Sequence, residues 1–108
     1  TEIYTLSLHD ALPIYYERNR DCMDRLDAEN IPVVSIEVTE NAIPYPRFVW
    51  PKPVAVVFGN EVNGVNERVL RRSRTVVSIP MLGYKNSLNV ATTFGIILYA
   101  ILGQWEAI

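Results

Sequence analysis

The run V-A-V-V-F (Val54–Phe58), closed by the loop G-N-E-V-N-G-V (Gly59–Val65), decides how this chain is read. Five consecutive apolar residues between Pro53 and Gly59 are the pattern of a strand covered on both faces, as in a parallel sheet; a half-exposed strand would alternate. The pattern recurs in T-V-V-S-I (Thr75–Ile79), stopped by Pro80 and followed by the loop Met81–Asn86. That second loop opens into Leu88–Trp105, a long stretch without charge. Loops at the ends of buried strands are where α/β proteins place ligands.

Outward from this pair, Tyr15–Glu29 has the spacing of an amphipathic helix, with Tyr15, Cys22, Met23 and Leu26 apolar. Asn30 is a stop and Pro32 forbids continuation. Ile31–Val38 reads as a partly alternating strand. Thr39–Pro53 carries four prolines among Tyr45, Phe48 and Trp50, which predicts no regular element but a packed loop. Asn66–Arg72 is a short helix capped by Asn66, and Asn86 or Ser87 caps the terminal helix. The terminal helix sets Ala91, Phe94, Gly95, Leu98, Ile101, Leu102 and Trp105 on one face, and Val90, Ile97 and Ala100 on the other. A helix without a wet face is covered on both sides, which in so small a chain implies a partner subunit. The order helix–strand–loop–strand–helix–strand–helix is an α/β arrangement.

Composition bounds the rest. A chain of 108 residues, 49% hydrophobic with a net charge of −2, is one globular domain or part of one. The charge does not itself announce nucleic-acid binding. Arg68, Arg71, Arg72 and Arg74, with Lys85, read either as a solvated face or as a patch for RNA phosphates. One cysteine, Cys22, and one histidine, His9, leave no disulfide and no zinc constellation, which suits a reducing cytoplasm. Asn89, Thr92, Thr93 and Gln104 dilute the terminal helix, and no Lys or Arg anchors it, so a buried helix is read and no membrane span.

Thr1–Ile14 (T-E-I-Y-T-L-S-L-H-D-A-L-P-I) lacks the parts of a signal peptide and looks like translated sequencing-adapter DNA. Residues 1–14 are therefore set apart as a non-native leader. Residues 15–108 are read as the C-terminal portion of a catalytic domain truncated at its N-terminus.

Two motifs carry chemistry. In G-N-E-V-N-G (Gly59–Gly64), Gly59 allows close approach to the backbone and Gly64 fits a turn; the G-x-G-x-x-G fingerprint is absent. The second motif, I-P-M-L-G-Y-K-N-S-L-N-V (Ile79–Val90), joins a strand end, a glycine loop and S-L-N-V at a helix start. Capping accounts for one of its polar residues but not for both, and helix-start amides suit an adenosine or ribose-phosphate.

The ordered pair, with E-N-A-I-P-Y (Glu40–Tyr45) and the final I-L-Y-A-I-L-G-Q-W, resembles the SpoU/TrmH family of RNA ribose 2′-O-methyltransferases. The resemblance implies a SPOUT-type α/β knot, a deep trefoil with a mostly parallel sheet flanked by helices. It implies S-adenosylmethionine held by Gly59, Asn60, Ile79, Met81, Gly83 and Leu88. Glu61, Ser87 and Asn89 would be catalytic, with the last two near the target ribose. It further implies tRNA or rRNA as partner, a homodimer, no metal and a cytoplasmic setting. The family's N-x-G-x-x-x-R motif is not found, so the fragment should keep cofactor residues while lacking the key arginine. The alternative is a non-catalytic RNA-binding or dimerisation module of the same fold.

Overall fold

The computed structural model describes residues 2–6, 11–14, 19–59, 63–81 and 89–108. Its strands are β1 (Glu2–Leu6), β2 (Ala11–Ile14), β3 (Val33–Ile36), β4 (Ile43–Pro44), β5 (Val54–Phe58) and β6 (Thr75–Ser78). They form one sheet in the order β2-β1-β5-β3-β6-β4. β5, β3, β6 and β4 are parallel neighbours, while β1 pairs antiparallel with both β5 and β2. The helices are α1 (Asn19–Ala28), α2 (Glu67–Arg72) and α3 (Val90–Gln104).

All five residues of β5 are buried, because β5 is central and both of its faces are covered. Its alternate side chains divide the core. Val54, Val56 and Phe58 join Val34, Ile36 and Val77 under Ile97 and Ile101 of α3. Ala55 and Val57 join Ile3 and Val33 under Cys22, Met23 and Leu26 of α1 and Val69 of α2. The result is a three-layer α/β arrangement with α1 and α2 on one face and α3 on the other.

Two sequence readings change. β3 spans Val33–Ile36, shorter than Ile31–Val38, and does not alternate: all four residues are buried between the helix layers. Ile31 instead belongs to the helix stop, where Asn30 adopts φ 57° and the amides of Asn30 and Ile31 bond to the carbonyls of Asp27 and Leu26. That is a Schellman closure, with Ile31 and Leu26 in the same apolar cluster. The proline-rich segment contains a two-residue strand, β4, and a 3-10 turn at Tyr45–Arg47. Pro44 is tolerated because β4 lies at the sheet margin, where a missing N–H breaks no central ladder. The helix expected from Tyr15 is described from Asn19, residues 15–18 lying outside the described set.

The leader set apart above supplies β1 and β2, and Ile3 and Leu6 are buried. I-Y-T-L is a good strand sequence, and β5 without β1 would be an apolar strand with one open edge. The expected knot falls partly on residues 82–88, which are outside the described residues.

Buried Ser35 is satisfied: its Oγ lies 2.5 Å from Ser73 Oγ, which also meets the Val69 carbonyl at 2.8 Å. At the other end of the molecule Gln104 fastens α3 to the proline-rich segment. Its Oε1 accepts from Trp50 N at 2.9 Å and its Nε2 donates to the Phe48 carbonyl at 2.6 Å. Among the described residues no helix is long and apolar enough to cross a membrane.

Candidate functional site at the carboxyl edge of the sheet

Parallel pairing brings the ends of β5, β3 and β6 together. Phe58 is in register with Ile36, and Ile36 with Val77. The residues that follow, Gly59, Glu37 and Ile79, therefore leave the sheet at one edge. Of the nine sequence-predicted site residues, Gly59, Ile79, Met81 and Asn89 are described. Asn60, Glu61, Gly83, Ser87 and Leu88 lie outside the described residues.

Gly59 sits where a side chain is impossible, and the cause is local. A Cβ there would run into the carbonyl of Gly64 and the amide of Val65, across its own loop. The loop closes on itself too tightly for any other residue, whatever approaches from outside. Gly64 has φ +68°, a conformation that favours glycine, and its missing Cβ would meet the Glu37 carboxylate.

Glu37 was not singled out by the sequence reading. Its Oε2 accepts from Val65 N at 2.8 Å and its Oε1 from Val38 N at 3.1 Å. A half-buried carboxylate from β3 thus fixes the far end of the loop that follows β5. The available signal was a single acidic residue directly after the uncharged V-V-S-I (Val33–Ile36). Ile79 and Met81 are half-buried just beyond β6, and Ile79 packs against the α3 cluster.

Asn89, not Asn86 or Ser87, is the N-cap of α3: its Oδ1 accepts from Ala91 N at 2.8 Å. Its carbonyl oxygen is thereby committed to the helix. Asn66 caps α2 as expected, accepting from Arg68 N at 2.9 Å.

Electrostatics near these elements are simple. The side chains of Asp27 and Asp24 hold the Arg72 guanidinium at 2.7 and 2.9 Å, and raise its pKa, the Asp27 hydrogen bond contributing most. Burial pushes the Cys22 thiol up, which makes it a packed side chain and a poor nucleophile. Among the described residues no three His, Cys, Asp or Glu side chains gather as a metal group.

A three-layer α/β fold with a mostly parallel central sheet belongs to the class in which ligands bind at the carboxyl edge of the strands. Residues 4–99 match the model of the SpoU rRNA Methylase family, and the chain belongs to that family. It is 35% identical over 74 residues to a tRNA (guanosine(18)-2'-O)-methyltransferase of Thermus thermophilus, covering 68% of this chain and 38% of that protein. Against the 23S rRNA (guanosine(2553)-2'-O)-methyltransferase RlmP of Bacillus subtilis, identity is 28% over 95 residues, 88% of this chain and 38% of the relative. In structure it resembles the SpoU methyltransferase AviRb of Streptomyces viridochromogenes in complex with AdoMet, with a TM-score of 0.75 at 26% identity. That likeness covers 83% of this chain and 37% of AviRb. The chain therefore spans well under half the length of these relatives.

Proposed function

We propose that the chain is the C-terminal part of an S-adenosylmethionine-dependent RNA ribose 2′-O-methyltransferase acting on tRNA or rRNA. The observation that carries this reading is the shared carboxyl edge, where the two family motifs leave β5 and β6. Relatives named as 2′-O-methyltransferases and a relative with AdoMet bound support it. The residues present suit such a cofactor. Half-buried Ile79 and Met81 offer apolar surface, and Glu37 fixes the Val65 end of the first-motif loop.

When bound, S-adenosylmethionine supplies a methyl group on a sulfonium. The chain's own task is to align the ribose hydroxyl and help it lose a proton. In this reading Gly59, Asn60, Ile79, Met81, Gly83 and Leu88 hold the cofactor, while Glu61, Ser87 and Asn89 serve the ribose. Because Asn89 Oδ1 caps α3, Asn89 would act on the substrate through its amide nitrogen. In this reading the chain around the second motif, Ile79–Val90, would thread as a knot. The uncharged α3 would meet a second copy in a homodimer; its Tyr99 is 63% exposed. A monomer in sedimentation at micromolar concentration would remove this last part.

The test uses the protein of the complete gene, with methyl incorporation into RNA and cofactor affinity measured on one preparation. Asn89→Asp keeps the cap oxygen and loses the amide donor, so it should fold normally, bind cofactor and lose about 10²–10³ in rate. Asn89→Ala should additionally lose about 1 kcal/mol of stability. Full activity of Asn89→Asp would reduce Asn89 to a cap, and absence of cofactor binding in the parent protein would overturn the reading. Gly59→Val is a poor probe, since it breaks the loop whether or not a cofactor binds there.

A further inference from the structure

Between α1 and α2 lies a groove of about 470 Å³, lined by Arg20, Arg68 and Arg72 with Asn19 and Asn66, over the buried Met23. The charges around it are unequally matched. Arg72 is held by Asp24 and Asp27, Arg71 by Glu67, and Arg25 by Glu29. Neither Arg20 nor Arg68 has an ion-pair partner among the described residues, and both are exposed. The acidic residues of the two helices are thus largely engaged elsewhere. Two guanidinium groups are left at the groove, beside a third that is fixed in place.

The position of the groove is informative as well. α1 turns through Asn30 directly into β3, so its first residues, Asn19 and Arg20, lie toward the carboxyl edge of the sheet. α2 begins two residues after Val65, whose amide Glu37 holds. The arginine-lined groove is therefore continuous with the loop of the first motif. We infer that this groove takes the phosphodiester backbone of RNA flanking the nucleotide at the carboxyl edge, with Arg20 and Arg68 on phosphate oxygens. Arg72, clamped by two aspartates, forms the floor and keeps α1 and α2 apart at the right spacing. Guanidinium groups suit this task because their planar forks pair with phosphate oxygens at two points. The inference rests on the proposed RNA substrate, but it concerns a surface separate from the cofactor loops.

The experiment titrates a labelled single-stranded RNA with the 108-residue chain across a range of salt, and repeats the titration with an Arg20→Gln, Arg68→Gln double variant. Each lost phosphate contact on a single strand lowers the salt slope by about 0.7, so the double variant should fall by about 1.4. Its affinity at low salt should drop about tenfold or more. Arg20→Lys, Arg68→Lys should restore most of the slope, and Arg47→Gln, in the 3-10 turn outside the groove lining, should leave it unchanged. Thermal melts of each variant verify that the fold is intact. An unchanged slope in the folded double variant, or no RNA binding by the parent chain, overturns the inference. Binding of inorganic phosphate in the groove with no effect on RNA also overturns it, in favour of a small-anion site. Cofactor affinity measured alongside separates the two readings. RNA binding that depends on the groove without cofactor binding would sink the proposed methyl transfer and leave the groove standing.

Discussion

The two helical layers of this molecule are finished to different standards. On one face α1 and α2 bury Cys22, Met23, Leu26 and Val69 and turn charged residues outward, several of them in ion pairs. On the other, α3 carries no charge at all, and only Ile97 and Ile101 are fully buried; Phe94, Leu98 and Trp105 are half-buried. Aromatic contacts stand in for ion pairs there: Phe94 lies 4.9 Å from Tyr4 and 5.6 Å from Phe58 between ring centroids. The first layer is complete in water as it stands, whereas the second has the composition of a surface meant to be covered. A sheet this thin can carry both because alternate residues of β5 serve opposite clusters.

The sharpest attack on that contrast is to hollow each layer. Leu26→Ala and Ile101→Ala remove fully buried side chains and should each cost about 2–5 kcal/mol in urea denaturation. Because the sheet separates them, the double variant should be additive to within about 0.5 kcal/mol. Coupling well beyond that would mean the two clusters act as one core.

A smaller difference is expected between the fastenings of the two layers. Gln104→Ala leaves the buried Trp50 without its amide partner and frees the Phe48 carbonyl, which should cost about 1–3 kcal/mol and be insensitive to salt. Arg72→Ala breaks two solvent-exposed pairs to Asp24 and Asp27 and should cost no more than about 1 kcal/mol, shrinking as salt is added. Equal losses, or a salt-sensitive Gln104 variant, would erase the distinction between a hydrogen-bonded clasp and a charged rim.

The smallest effect is confined to the α1 layer and is a pH dependence. Burial raises the Cys22 pKa in the folded chain above its unfolded value. The associated stability is fully present below the unfolded thiol's pKa, about 8.5. It is lost as pH rises from there through the folded value, because only the unfolded chain readily gives up the proton. Cys22→Ala should flatten that alkaline decline in unfolding experiments, and a decline that persists unchanged must come from another group.

What could be read in advance was whatever the chain encodes locally. V-A-V-V-F between Pro53 and Gly59 announced β5 to the residue, and Asn66 announced α2, because proline, glycine and a capping side chain act on their immediate neighbours. The unread parts are the non-local ones. Nothing in T-E-I-Y-T-L says that it will pair with Val54–Phe58 some fifty residues away, since that pairing is decided by the vacancy beside β5. Asn89 was read toward the ribose and the cap was assigned to Asn86 or Ser87. Three polar residues within four positions compete for one helix end, and only the actual backbone turn chooses. Glu37 was missed for the same reason: its partner, Val65, is 28 positions distant.

The Glu37 contact has a consequence for anyone moving the motif. The loop G-N-E-V-N-G looks portable, a short string with its own glycines. Its shape is nevertheless written partly in another strand, because the carboxylate that anchors Val65 comes from the end of β3 and occupies the space that Gly64 leaves open. Grafted alone onto a different sheet, the string would arrive without its anchor. Conversely, within this scaffold any exchange in the loop has to keep both glycines and the distant glutamate.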